Sequence, residues 1–150
     1  EELMIDRLKV SRVVNAELQQ CHALVANVES YGSWVSDLRE VSVGDRDAQG
    51  RVTEATFRVA AMGRSATYSL LYDYSESPAL IKWELASGDI IKRLDGSYRF
   101  DSVVGEPKQT EVTYELAIEL AIPLPGFVKR RAEGRIAHAA LDDFQAKVEQ

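Results

Sequence analysis

Between Glu54 and Leu120 apolar residues recur at every second position, and beyond Pro123 and Pro125 the spacing changes to that of a helix. Period two describes a strand with one buried face, and period 3.6 a helix with one buried stripe. A chain patterned this way stacks antiparallel strands in succession and then lays one helix across them. Ala55, Phe57, Val59 and Ala61 alternate with Glu54, Thr56, Arg58 and Ala60. Tyr68, Leu70, Tyr72 and Tyr74 mark the inward face of the next run, followed by Ile81, Trp83 and Leu85, then Leu94, Gly96, Tyr98 and Phe100. The last run sets Val112, Tyr114, Leu116, Ile118 and Leu120 against Glu111, Thr113, Glu115, Ala117 and Glu119, so one sheet face meets water. Turn residues at Asp47 to Gly50, Gly63, Glu76 to Pro78, Gly88 and Gly105 to Lys108 separate the runs.

Proline suits the first turn of a helix and ends a strand, so the spacing predicts a long helix from Phe127 to about Val148. Its apolar side is Val128, Ala132, Ile136, Ala139, Ala140, Phe144 and Val148, with Arg131, Arg135, His138, Asp142 and Gln145 opposite. Upstream, Leu8 to Val14 reads as a first strand and Asn15 as a helix N-cap. Leu18, Cys21, His22, Val25 and Val28 keep helical spacing, and Tyr31, Trp34, Val35 and Leu38 repeat it after a break around Ser30 to Ser33. Two short helices are predicted there. The expected fold is α+β: a curved antiparallel sheet of about seven strands wrapped around a C-terminal helix, as one domain over residues 1–150.

Composition narrows the function. The chain carries 24 acidic and 18 basic residues, a formal charge of -6, so nothing drives it as a whole onto nucleic acid. No apolar stretch is long enough to span a bilayer, and the first residues lack the pattern of a signal peptide, which implies a cytoplasmic protein. One cysteine and two histidines give no basis for a disulfide or a metal centre, and no Gly-rich phosphate loop is present, so no cofactor is expected. Cys21 reads as a small buried residue and His22 as a core histidine. His138 stands four residues before Asp142 in a solvated pair, and the many other carboxylates fall mostly in turns or on outward positions, so no residue is assigned to catalysis.

Four segments in order carry a resemblance: Val28-Glu29-Ser30-Tyr31-Gly32-Ser33-Trp34, Leu94-Asp95-Gly96-Ser97-Tyr98-Arg99-Phe100, Thr110-Glu111-Val112-Thr113-Tyr114-Glu115-Leu116 and Ile122-Pro123-Leu124-Pro125-Gly126-Phe127-Val128-Lys129-Arg130-Arg131-Ala132-Glu133. Together they resemble the START-like, helix-grip (SRPBCC) superfamily, in its polyketide cyclase/dehydrase and coenzyme-Q-binding branch, and the last segment looks like uncharacterised actinobacterial members. Many relatives carry proline where this chain has Gly32. The resemblance implies a hydrophobic small molecule, such as a lipid, isoprenoid quinone or polyketide-like aromatic, held between sheet and last helix.

Small residues on the helix facing aromatics on the sheet favour such a cavity. The expected ligand-binding residues are Phe57, Val59, Tyr68, Leu70, Tyr72, Trp83, Leu85, Leu94, Tyr98, Tyr114, Leu116, Phe127, Val128, Ala132 and Ile136. Lys129, Arg130 and Arg131 occupy the first helical turn, where the helix dipole disfavours positive charge, and are read either as solvated charges offset by Glu133 or as a transient contact with a membrane surface. A carrier or sensor of a hydrophobic molecule is the first expectation. A cyclase or dehydratase using tyrosine hydroxyls as acids is the alternative, favoured by an acidic group or histidine pointing into the cavity beside a tyrosine. A protein-interaction module, with a large exposed apolar patch and no cavity, is the third.

Overall fold

The computed structural model describes residues 7–61 and 63–150, and its element order follows the change of period. Strand β1 (Leu8–Val14) leads to helix α1 (Leu18–Ala26) and a 3-10 helix (Val28–Ser33). Six strands follow: β2 (Leu38–Val43), β3 (Glu54–Ala61), β4 (Arg64–Asp73), β5 (Leu80–Gly88), β6 (Ile91–Val103) and β7 (Glu106–Leu120). Helix α2 (Gly126–Val148) closes the chain. All seven strands form one antiparallel sheet in the order β1-β7-β6-β5-β4-β3-β2. Consecutive strands from β2 to β7 are neighbours, and β1 joins β7, with Leu8 opposite Leu116 and Val14 opposite Thr110. This is the helix-grip architecture.

Glycines with positive φ supply the tight turns between β3 and β4, at Gly63, and between β6 and β7, at Gly105. In the loop after β2, Asp47 Oδ1 accepts bonds from the backbone N–H of Gln49 and Arg51, each 2.9 Å. On the solvated face opposite charges alternate, as in Arg93 between Asp95 (2.9 Å) and Glu119 (3.6 Å). Such solvent-facing pairs add little stability. The core lies on the other face, where Phe100, Ile81, Leu116, Val112, Leu141 and Phe144 are fully enclosed. No helix among the described residues is long and apolar enough to cross a membrane.

Three local expectations are corrected. Asn15 is not the cap of α1: its backbone N–H donates to Glu149 Oε2 (2.7 Å) and its side chain accepts from Gln109 (3.0 Å). Pairing of Val14 with Thr110 holds the chain on the sheet at that point, and the helix starts only after Glu17, whose N–H is taken by Gln20 Oε1 (3.0 Å). The second short helix is a 3-10 helix that ends at Ser33, and Leu38 opens β2 rather than closing a helix. There Leu38 pairs with Val59, so ladder formation overrides the helical spacing of Tyr31, Trp34, Val35 and Leu38. On α2 the buried stripe is Glu133, Ala137, Leu141 and Phe144, and Ile136 is 40% exposed. Asp142 faces the sheet edge, where Arg12 Nη1 reaches its Oδ1 at 2.6 Å.

Candidate functional site

Helix α2 rests on one flank of the sheet, against β1 and β7. Its stripe from Glu133 to Phe144 is buried there, and the Arg12–Asp142 and Asn15–Glu149 bonds fasten its outer side. The next face of the helix, Ile136, Ala139, Ala140 and Asp143, therefore spans the concave middle of the sheet with mostly short side chains. The floor beneath them is aromatic and curves away. What remains is a cavity of about 230 Å³, room for seven or eight waters at the roughly 30 Å³ each occupies in the liquid.

Strands β3 and β4 supply Phe57, Val59, Tyr68, Leu70 and Tyr72 to the wall; β5 and β6 supply Trp83, Leu94 and Tyr98; β7 supplies Tyr114 and Leu116. With Ile136, eleven of the fifteen residues expected from sequence come together around one space. Leu85 packs on the core but off the cavity, at the end of β5 where pairing with β6 has stopped at Trp83 and an extra residue separates Leu85 from Ser87. Phe127 is 61% exposed at the start of α2, and Val128 and Ala132, half-buried, lie one to two turns before the roofing residues, outside the wall.

The rings form a connected array. Tyr98 lies 5.0 Å from Tyr114, 5.7 Å from Trp83 and 5.6 Å from Phe144, centroid to centroid, and Phe57 lies 5.6 Å from Tyr68. Edge-on and tilted geometries of this kind hold large side chains in place without filling the space they enclose. From the 3-10 helix Tyr31 and Trp34 complete the side wall, stacking on Phe57 at 6.1 Å and edging Phe144 at 6.2 Å. Both tryptophans of the chain, Trp34 and Trp83, thus border the cavity.

The hydroxyls differ in their use. Tyr31 donates to the carbonyl of Val25 at 2.5 Å and shares a bond with Tyr72. Those of Tyr68, Tyr98 and Tyr114 have no hydrogen-bond partner among the described residues, although Tyr98 and Tyr114 are only 6% and 7% exposed. Burial pushes Tyr68 up to about 12 and raises Tyr98 and Tyr114 well above the ordinary phenol range, and neighbouring Tyr114, Tyr31 and Asp143 add to the shift at Tyr98. At neutral pH these three groups are therefore O–H donors aimed into an apolar space.

Two carboxylates that the sequence does not single out also border the cavity: Asp143, half-buried on α2, and Asp37, exposed on the rim. Asp143 Oδ2 accepts from both the backbone N–H and the hydroxyl of Ser36, each at 2.9 Å. A signal existed, since Asp143 follows Ile136 by seven and Ala139 by four, on one helical face. Among the described lining residues there is no Lys, Arg or His.

The histidines and the cysteine lie elsewhere. His22 bonds Ser77 Oγ at 2.9 Å, and desolvation, then the positive charge of Arg51, lowers its pKa. Cys21 is fully buried, and burial raises its thiol against a smaller opposing effect of Thr110. Arg130 and Arg131 are exposed and Lys129 is half-buried, beside exposed Phe127 and Ile122. No cluster of three or more metal-ligating side chains occurs among the described residues.

A family model described as polyketide cyclase / dehydrase and lipid transport matches residues 14–145. Among solved structures, a START superfamily protein from Mycobacterium smegmatis superposes with a TM-score of 0.89 at 19% identity, covering 96% of this chain and 97% of that one. The Zhui aromatase/cyclase from Streptomyces sp. R1128 gives 0.76 at 15% identity, over 95% and 93%. A STAR-related lipid transfer protein fragment from Xanthomonas axonopodis gives 0.72 at 12% identity, over 96% and 86%. No curated protein matches the sequence.

Proposed function

The chain belongs to the polyketide cyclase / dehydrase and lipid transport family, matched over residues 14–145, and on that footing we propose that it binds and carries a hydrophobic small molecule. The observation that supports this reading is the cavity of about 230 Å³ between sheet and α2, walled by aromatic rings and supplied with three tyrosine hydroxyls that have no protein partner among the described residues. Apolar walls supply the affinity and a few oriented donors fix the pose. Donors that open onto the cavity without a protein acceptor are free to bond a ligand oxygen. A concave cavity lined by aromatic rings favours a small molecule over a protein docked on a flat exposed face.

Two experiments test the reading. Native mass spectrometry of protein purified from its own host, followed by solvent extraction, should recover a co-purifying apolar compound. Titration with ring-bearing hydrophobic compounds should change the emission of Trp34 and Trp83, the chain's two tryptophans. Recovery of no bound compound across several growth conditions, together with no change in emission, would sink it.

A second reading is supported by one observation, the carboxylate of Asp143 on the same cavity as the Tyr98 hydroxyl, close enough to raise its pKa. In a cyclase or dehydratase the carboxylate takes a proton from carbon while a tyrosine O–H donates to the developing enolate oxygen. Faster hydrogen–deuterium exchange at the central carbon of benzoylacetone, abolished in Asp143→Asn, would move the assignment from carrier to enzyme. Under either reading Lys129, Arg130 and Arg131, beside Phe127 and Ile122, form a basic and apolar edge suited to an anionic lipid surface.

A further inference from the structure

We infer that the cavity selects its ligand by charge: it takes a neutral ring compound carrying hydroxyl or carbonyl oxygens and rejects anionic amphiphiles, with Asp143 as the specificity-determining residue. The inference rests on the ligand-binding reading above and narrows it. The charged groups bordering the cavity, among the described residues, are the carboxylates of Asp37 and Asp143. No Lys, Arg or His is placed there to neutralise a fatty-acid carboxylate or a phosphate. An anion entering this space would lose its water and meet like charge, with nothing to offset either.

What the site offers instead is donors. Tyr68, Tyr98 and Tyr114 present O–H groups held protonated and without protein acceptors among the described residues, with Tyr98 and Tyr114 more than nine-tenths buried. These recognise ketone, quinone or phenol oxygens. At the other side Asp143 is held in place through Oδ2, by the two Ser36 bonds, which leaves Oδ1 available to a ligand hydroxyl. Donors on the floor and an acceptor on the roof fit an oxygenated, uncharged ring system.

The test uses two probes of matched ring and size, 2-naphthol, neutral at pH 7, and 2-naphthoate, anionic, each titrated calorimetrically into the intact protein. Naphthol is expected to bind at least about tenfold more tightly, and the ratio to shrink several-fold in Asp143→Asn, which retains an acceptor for Ser36. Wild-type affinity for naphthoate should rise with added salt while that for naphthol stays level, a readout that needs no variant. Equal or tighter binding of naphthoate would overturn the charge selection and leave the ligand-binding reading standing. An unchanged ratio in a folded Asp143→Asn protein would overturn the role of Asp143. Binding of neither probe, with no emission change from larger neutral ring compounds, would overturn the ligand-binding reading itself.

Discussion

Gly96→Ala tests how tightly the cavity wall is built. A methyl group placed on Gly96 would lie 2.5 Å from Trp83 Cζ2, 2.6 Å from Cε2 and 2.7 Å from Nε1. Carbon atoms rest at about 3.5–4.0 Å, so the indole must retreat by roughly 1 Å. It has little freedom to do so: Trp83 is 9% exposed, with Tyr98, Tyr114 and Tyr72 at 5.7, 5.8 and 6.3 Å. Overpacking of this kind costs about 1–3 kcal/mol. The lower chain entropy of alanine in the unfolded state returns about 0.4–1 kcal/mol, which leaves a net loss of about 1–2 kcal/mol. Urea unfolding at fixed m-value, with a fall in Tm of about 2–4 °C per kcal/mol, reads it out. Because the indole moves toward the cavity, tryptophan emission should shift as well. Trp83→Phe in the same chain should relieve the clash, giving a favourable coupling of about 1 kcal/mol or more in a double-mutant cycle. A Gly96→Ala protein within ~0.5 kcal/mol of the parent, with unchanged emission, would refute the reasoning.

Other perturbations probe separate parts of the molecule. Ala140→Leu adds three carbons to the roof; at about 0.8 kcal/mol for each buried methylene, less the side-chain entropy, it should gain about 1 kcal/mol and weaken 2-naphthol binding tenfold or more. Retained binding would mean that the ligand sits elsewhere. His22 has a lowered pKa, so below the ordinary histidine range the unfolded chain holds the extra proton and stability falls as pH falls through that window. His22→Gln should flatten the slope there, and an identical slope would show that His22 does not set it. Replacing Lys129, Arg130 and Arg131 together by serine should weaken co-sedimentation with phosphatidylserine vesicles and leave neutral vesicles unaffected; equal sedimentation would remove the membrane contact.

Legibility followed periodicity. Strands β3 to β7 alternate over most of their length, so most of their inward residues, and with them most of the cavity wall, could be named from sequence, and the irregular ends of β5 and β6 at Leu85 and Ile91 could not. β2 was hidden because Leu38 continues the helical spacing of Tyr31, Trp34 and Val35, and only pairing with Val59 reveals the change of direction. The face of α2 was harder. A helix rich in alanine gives a weak stripe, and Glu133, buried at 3%, occupies a position that polarity assigns to solvent. Asp143 belongs to neither stripe read from the sequence, and fastening of α2 to β1 through Arg12 and Asp142 turns it to the cavity. Tyr31 and Trp34 were seen as a motif but not as a wall, since the 3-10 geometry that aims them has no periodic signature in six residues.

The pairing of β1 with β7 bears on how the chain reaches this state. From β2 to β7 each strand meets the one before it, so the sheet can grow by successive hairpins with short loops to close. Leu8 opposite Leu116 is different: that contact joins positions 108 residues apart, and α2, which lies on β1 and β7, depends on it. Long-range contacts of this type are slow to form and rewarded last. The first strand and the last helix should therefore assemble as one late unit, and amide exchange under mildly destabilising conditions should show β1 and α2 losing protection together while β3 to β6 stay closed.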